Sequence, residues 1–263
     1  MTSRTESFEA VIKSGPFPIR FPRRDVLDQD EEWCEVEVDG VWRRIRFHDY
    51  DQVYRIPGLY ETIFYRTLRC NSPAYVAEML RDTLLEQGLD PAHLRVLDLG
   101  AGNGMMGEVL QTLGTREIVG VDLLPEAREA AERDRPWVYN NYVVADLAQP
   151  SEPQRERLAA RRFNALTVVA ALGFGDIPPQ ALRTAFNLVS DGGWFAFNIK
   201  EGFLREDDAS GFARLIRSML QEQVLQMWSY KRYCHRLNVS GESLFYIAAV
   251  AQKLRDIPAA LVD

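Results

Sequence analysis

From Arg95 onward, short runs that are apolar throughout alternate with stretches whose apolar positions recur at helical spacing. Val96–Leu99, Ile118–Val121, Tyr142–Ala145, Ala165–Ala170 and Trp194–Ile199 read as strands, and Met105–Leu113, Pro125–Arg133, Pro153–Arg161, Pro179–Val189 and Gly211–Glu222 as the helices that follow them. Strands apolar on both faces and separated by helices predict an α/β fold, a mostly parallel sheet covered by helices on both sides. The end of the chain breaks the rhythm. Val224–Leu237 and Leu244–Ala251 are joined by Asn238-Val239-Ser240-Gly241-Glu242. That leaves no room for a crossover helix, so they predict an antiparallel hairpin added to the sheet edge.

The first seventy residues follow other patterns. Trp33–Phe47 alternates around Asp39-Gly40, which predicts a β-hairpin closed by a favoured two-residue turn. Tyr50, Tyr54, Tyr60, Phe64 and Tyr65, interrupted by Pro57-Gly58, predict short helices. Ser72-Pro73 opens a longer helix, with Ser72 as its N-cap and Gly88 as its stop. Residues 1–30 are rich in Pro, Arg and Asp and predict an irregular arm with little core. The expected division is therefore an arm, hairpin and aromatic lid over residues 1–71 and a main domain over 72–263.

Composition narrows the classes. A chain of 263 residues that is 46% hydrophobic can bury one large core with an additional lobe. Its 31 basic and 38 acidic residues leave a net charge of −7, which gives no general attraction to nucleic acid or anionic membranes. No apolar run approaches the roughly 20 residues that span a bilayer, and the first ten residues lack the order of a secretion signal, so a cytoplasmic protein is expected. Cys34, Cys70 and Cys234 are too scattered for a disulfide framework or a zinc site.

The chemistry gathers after the first strand of the main domain. Asp98-Leu99-Gly100-Ala101-Gly102-Asn103-Gly104 places three glycines at every second position where a strand turns into a helix. Glycine there lets the chain bend tightly and brings a ligand into contact with bare main chain. Gly102 to Gly107 also satisfies GxGxxG, and Asp122 lies about 20 residues on, as a dinucleotide site requires. However, Asp98 and Gly100 stand between the strand and that match, and the terminal hairpin supplies no second nucleotide-binding half.

The same residues resemble the first motif of class I S-adenosylmethionine-dependent methyltransferases. The resemblance extends to Asp122 after the second strand, Asp146 after the third, Asp191-Gly192-Gly193 before the fifth and the closing hairpin, covering roughly residues 75–252. Leu172–Pro178 and Phe197-Asn198-Ile199-Lys200 are most similar to bacterial relatives of the Williams–Beuren-region methyltransferase. The resemblance implies a Rossmann-like, seven-stranded sheet of order 3-2-1-4-5-7-6, with S-adenosylmethionine as cofactor and S-adenosylhomocysteine as product.

The cofactor's own groups then assign roles. Asp98 and the Gly100 carbonyl suit the ammonium, and Ala101, Gly102, Asn103 and Gly104 suit close passage of the ribose. Asp122 suits the ribose diol, Leu123 flanks the adenine, Asp146 and the Leu147 backbone meet the adenine amine, and Ala170 and Ala171 line the site. The competing structural readings are a helix cap for Asp122, a turn for Asp146, and core for Leu123 and the alanines.

The acceptor is less legible. Val169-Ala170-Ala171-Leu172-Gly173 lacks the Asn/Asp-Pro-Pro-Tyr/Phe signature of amino methylation of bases and glutamines. His48, Tyr50, Tyr54, Tyr60, Tyr65, Asn198 and Lys200 are the candidates for acceptor contacts. A small-molecule acceptor is expected from the aromatic lid and the acidic charge. A protein acceptor, a degenerate fold kept as a binding subunit and a nicotinamide-dependent oxidoreductase are the other readings.

Overall fold

The computed structural model describes residues 17–22, 27–205 and 207–262; the rest of the 1–30 arm, with its Arg23-Arg24-Asp25 stretch, lies outside the described residues. The described residues fall into two compact units. One holds the residues up to Asn71 together with Cys234–Leu244, and the other holds Ser72–Tyr233 and the residues from Phe245 onward.

The first unit contains a three-stranded antiparallel sheet of β1 (Ile19–Arg20), β2 (Trp33–Val38) and β3 (Val41–Arg46). The hairpin turn is as expected, with Asp39 at φ 53° and Gly40 at φ 75°, the left-handed pair that matches strand twist. β1 corrects the expectation of an arm with little core: Ile19 is fully buried and Phe21 is 4% exposed. Between prolines, alternation over a few residues suffices for an edge strand. Arg20 fastens it, reaching Glu35 at 2.7 Å and lying 3.9 Å over the Trp42 ring. The aromatic segment forms α1 (Tyr50–Arg55) and a π-helical turn over Glu61–Thr67.

The second unit is built on seven strands. α2 (Ser72–Glu86) leads in and ends in a left-handed Gly88 at φ 71°. The Leu89 N–H reaches the Leu84 carbonyl and the Gly88 N–H the Leu85 carbonyl, so the last turn closes as a Schellman cap. There follow β4 (Arg95–Leu99), α3 (Met105–Thr112), β5 (Glu117–Asp122), α4 (Pro125–Asp134), β6 (Asn141–Val144), α5 (Glu152–Ala159), β7 (Phe163–Leu172), α6 (Pro179–Asn187), β8 (Val189–Lys200), α7 (Phe212–Gln221), β9 (Leu225–Leu237) and β10 (Ser243–Lys253).

The sheet order is β6-β5-β4-β7-β8-β10-β9, which is 3-2-1-4-5-7-6. Neighbours from β6 to β8 pair in parallel, and β10 runs antiparallel to β8. Adjacent residues along β4 serve opposite faces: Leu97 and Leu99 join one core with Val119, Val121 and Phe195, while Val96 joins another with Ile118, Ala165 and Trp194. Burial on both faces is why these strands read as continuous apolar runs. β8 begins earlier than expected, because the Gly192-Gly193 turn is a bulge inside it: Phe163 pairs with Val189 and Ala165 already with Trp194.

Candidate cofactor site

The β4–α3 turn is held open by backbone geometry that glycine supplies. Gly100, Gly102 and Gly104 have φ of 72°, 52° and 93°. The N–H groups of Gly100 and Ala101 both donate to the Val121 carbonyl, at 2.9 and 3.1 Å, which hangs the turn from the end of β5. A Cβ on Gly100 would stand 2.9 Å from the Ala171 Cβ and 3.1 Å from Ile177 Cδ1. The end of β7 therefore closes against the turn, and Ala171 and Ala170 are half-buried there.

Asp122 faces the turn from the end of β5. Its Oδ2 accepts from the Gly102 N–H at 2.9 Å and its Oδ1 from the Leu124 N–H at 3.0 Å. The Leu123 N–H adds to these donors, and the four acceptor sites of a carboxylate still leave capacity for an outside donor. Burial pushes this carboxyl above its usual range, against the pull of those backbone donors. Leu123 beside it is 58% exposed, an apolar surface left free at the strand tip. Asp146 is exposed after β6, with Oδ1 accepting from the Ala148 N–H at 2.8 Å, while Leu147 is buried.

Beneath the turn lies a polar layer the sequence did not announce. Asp98 is 1% exposed; Oδ1 accepts from the Thr167 hydroxyl and Oδ2 from the Tyr139 hydroxyl, both at 2.7 Å. The carboxyl thus lies under the turn, with both oxygens engaged by side-chain hydroxyls. Tyr139 also reaches the Ala101 carbonyl at 3.3 Å, and Tyr142 donates to the Gly102 carbonyl at 2.7 Å. Burial raises the titration of both phenols, so both remain donors. Arg135, 9% exposed, completes the brace by binding Glu108 at 2.8 Å and the Asn103 carbonyl at 3.2 Å.

Gly107 also finds its reason here. A Cβ on it would meet Val138 at 2.4 Å and the Tyr139 ring at 2.9 Å, and one on Gly120 would meet that ring at 3.1 Å. The third glycine of the GxGxxG match makes room for a tyrosine rather than for a strand. One signal was available: Thr167 is a lone hydroxyl in an apolar strand, and register pairs it with Asp98.

Desolvation lifts the Asp98 carboxyl to about 6, partly opposed by its Thr167 and Tyr139 bonds. A carboxyl raised on folding holds its proton longer in the native state, so its contribution to stability falls as pH rises from about 4 to about 6 and is level above. Urea unfolding at pH 4 and pH 7 should therefore show wild type losing up to about 3 kcal/mol relative to Asp98→Asn across that interval. An equal difference between the two proteins at both pH values would contradict it.

The acceptor candidates separate. Within the first unit, His48, Tyr50, Tyr54, Tyr60 and Tyr65 form one row, with successive ring centroids 5.6, 6.0, 5.2 and 6.1 Å apart. Lys200, at the end of β8, is half-buried with its ammonium 5.0 Å over Phe174 and 5.9 Å over Phe203. Asn198 is fully buried, and its carboxamide bonds the Ala170 N–H, Ser72 Oγ and Tyr233 Oη.

A family model described as a methyltransferase domain matches residues 73–248, two thirds of the chain and nearly all of the second unit. The chain belongs to the class I S-adenosylmethionine-dependent methyltransferases. The methyltransferase is 34% identical over 113 residues to the ubiquinone biosynthesis O-methyltransferase of Paraburkholderia phymatum, covering 41% of this chain and 46% of that one. It is 40% identical over 68 residues to the ribosomal protein L11 methyltransferase of Ralstonia pickettii, covering 26% and 22%. The matches span about half the length of the curated O-methyltransferase relatives. Its fold is similar to that of the N-methyltransferase NodS from Bradyrhizobium japonicum in complex with S-adenosylhomocysteine, with a TM-score of 0.51, 15% identity, and 79% and 97% of the two chains covered. The match to a methyltransferase domain sets the nicotinamide reading aside. Among the described residues no helix is long and apolar enough to cross a membrane.

Proposed function

We propose that the methyltransferase moves a methyl group from S-adenosylmethionine to a small-molecule acceptor, with the cofactor lying across the tips of β4, β5, β6 and β7. The observation that carries the cofactor placement is Asp122, a carboxylate held by backbone N–H groups at a strand tip against the bare glycine turn, with acceptor capacity remaining. That donor-poor, acceptor-rich tip fits a ribose diol. Gly100 to Gly104 allow the close main-chain approach, Leu123 covers one face of the adenine, and Asp146 with the Leu147 backbone meets its amine. Asp98 acts from beneath the turn by keeping its shape.

When bound, the cofactor supplies a methyl group already activated on a sulfonium. The protein's share is positioning and exclusion of water. The lid role of residues 1–71, and acceptor contacts by His48, Tyr50, Tyr54, Tyr60, Tyr65 and Lys200, belong with this proposal; their support is the aromatic density of that segment and the half-buried ammonium.

The acidic net charge of −7 and the similarity to ubiquinone O-methyltransferases favour a small acceptor, whereas the similarity to L11 methyltransferases favours a protein. Incubation with methyl-labelled cofactor and a fractionated extract separates them. Label in the low-mass fraction is expected, and label confined to protein would overturn the small-molecule reading. For the cofactor, Asp122→Ala should weaken S-adenosylhomocysteine binding by about 1–3 kcal/mol, read by calorimetry. Unchanged affinity would show that Asp122 does not hold the ribose.

A further inference from the structure

The end of β7 carries a backbone irregularity that the fold alone does not require. Val168 pairs with Phe197 on β8, and the next pair is Leu172 with Ile199, so four steps on β7 oppose two on β8. Within the bulge Ala170 has φ of 57°, a left-handed conformation that costs an alanine free energy and persists only where neighbours enforce it. Asn198 sits on β8 between the two pairs. Its Oδ1 accepts from the Ala170 N–H at 2.6 Å, in place of a ladder bond that the bulge has removed.

Asn198 is itself fixed from the other side. It is fully buried, and its Nδ2 donates to Tyr233 Oη at 2.7 Å and to Ser72 Oγ at 3.1 Å. Those two hydroxyls lie 2.6 Å from each other, and the Tyr233 ring stacks on Tyr75 at 4.1 Å. The carboxamide therefore has its orientation determined at both ends. What it holds is adjacent to the site, since the residue after Ala170 is the one that closes on Gly100.

We propose that Asn198 is a positioning residue for the cofactor site: it locks the left-handed turn at Ala170 and so sets the wall that β7 presents to the glycine turn. The inference rests on the cofactor lying at that turn. A buried Asn in this role touches neither cofactor nor acceptor, which distinguishes it from the contact role its strand-end position first indicates.

The test uses the full chain and S-adenosylhomocysteine as the titrant. Asn198→Ala should bind it at least about tenfold more weakly, because Ala170 is no longer held. In an Ala170→Gly background, where the left-handed turn is free of steric cost, the same Asn198→Ala change should weaken binding by less than about threefold. A residue that only stabilised the fold would lower the melting temperature without this rescue. If Asn198→Ala does not fold, Tyr233→Phe removes one anchor of the carboxamide and should show a smaller loss, again diminished in the Ala170→Gly background. Wild-type affinity in the variant that folds, or an equal loss in both backgrounds, overturns the proposal. Failure of the wild-type protein to bind would instead sink the assignment of the cofactor site.

Discussion

Gly100→Val should abolish cofactor binding and lower the stability of the fold by about 2–5 kcal/mol, the sum of two independent costs. The first is conformational. Gly100 has φ of 72°, a region that a β-branched residue avoids at a cost of about 1–2 kcal/mol. The second is steric: the new Cβ would lie 2.9 Å from the Ala171 Cβ and 3.1 Å from Ile177 Cδ1. Both neighbours belong to packed structure, and overpacking of that kind costs about 1–3 kcal/mol. Relief requires the turn and the β7 end to part, which also moves the Gly102 N–H from Asp122. Urea unfolding and calorimetry with S-adenosylhomocysteine read the two effects separately. Retained affinity in this variant would mean that the turn does not shape the site.

Arg236→Met should destabilise the first unit by about 3–5 kcal/mol without involving the cofactor residues. Arg236 is 3% exposed and pairs with Glu32, which is fully buried. The carboxylate's other oxygen accepts from the Val239 N–H at 2.7 Å, and the guanidinium also reaches the Leu237 carbonyl at 2.8 Å and lies 5.9 Å from the Phe47 and Phe64 rings. Methionine keeps most of the volume but leaves a carboxylate in an apolar core with one backbone donor. Removing both charges, as Arg236→Met with Glu32→Gln, should recover a large part of the loss, because the cost lies in the orphaned charge. A single variant within about 1 kcal/mol of wild type, followed by urea unfolding, would contradict the burial of the pair.

Local patterns made the scaffold legible. The β2–β3 hairpin follows from alternation around Asp39-Gly40, and the parallel strands follow from runs buried on both faces. The terminal pair is legible from the absence of space for a helix. Chain-local signals also located Asp122 and the glycine turn, since strand ends and glycine spacing are local properties.

What the sequence concealed depends on register between distant segments. Asp98 meets Tyr139 across 41 residues and Thr167 across 69, so whether it faces a ligand or lies under the turn is decided by strand pairing. Gly107 serves Tyr139 and not a dinucleotide, a distinction no motif can make. Asn198 has the strand-end position of an acceptor contact, yet it is fully buried and its carboxamide is bonded to Ala170, Ser72 and Tyr233. At the other end of the chain, prolines around Ile19 masked a short strand that, with the neighbouring Phe21, places two apolar side chains in the core.

The central claim is that the tips of β4 and β5 grip S-adenosylmethionine through the glycine turn and Asp122. Isothermal titration of the wild-type protein with S-adenosylhomocysteine, beside parallel titrations with NAD and of Asp122→Ala, tests it most directly. Saturable one-to-one binding of S-adenosylhomocysteine, weakened in the variant and without heat from NAD, is the expected result; no binding of S-adenosylhomocysteine, or equal binding by the variant, would contradict the account.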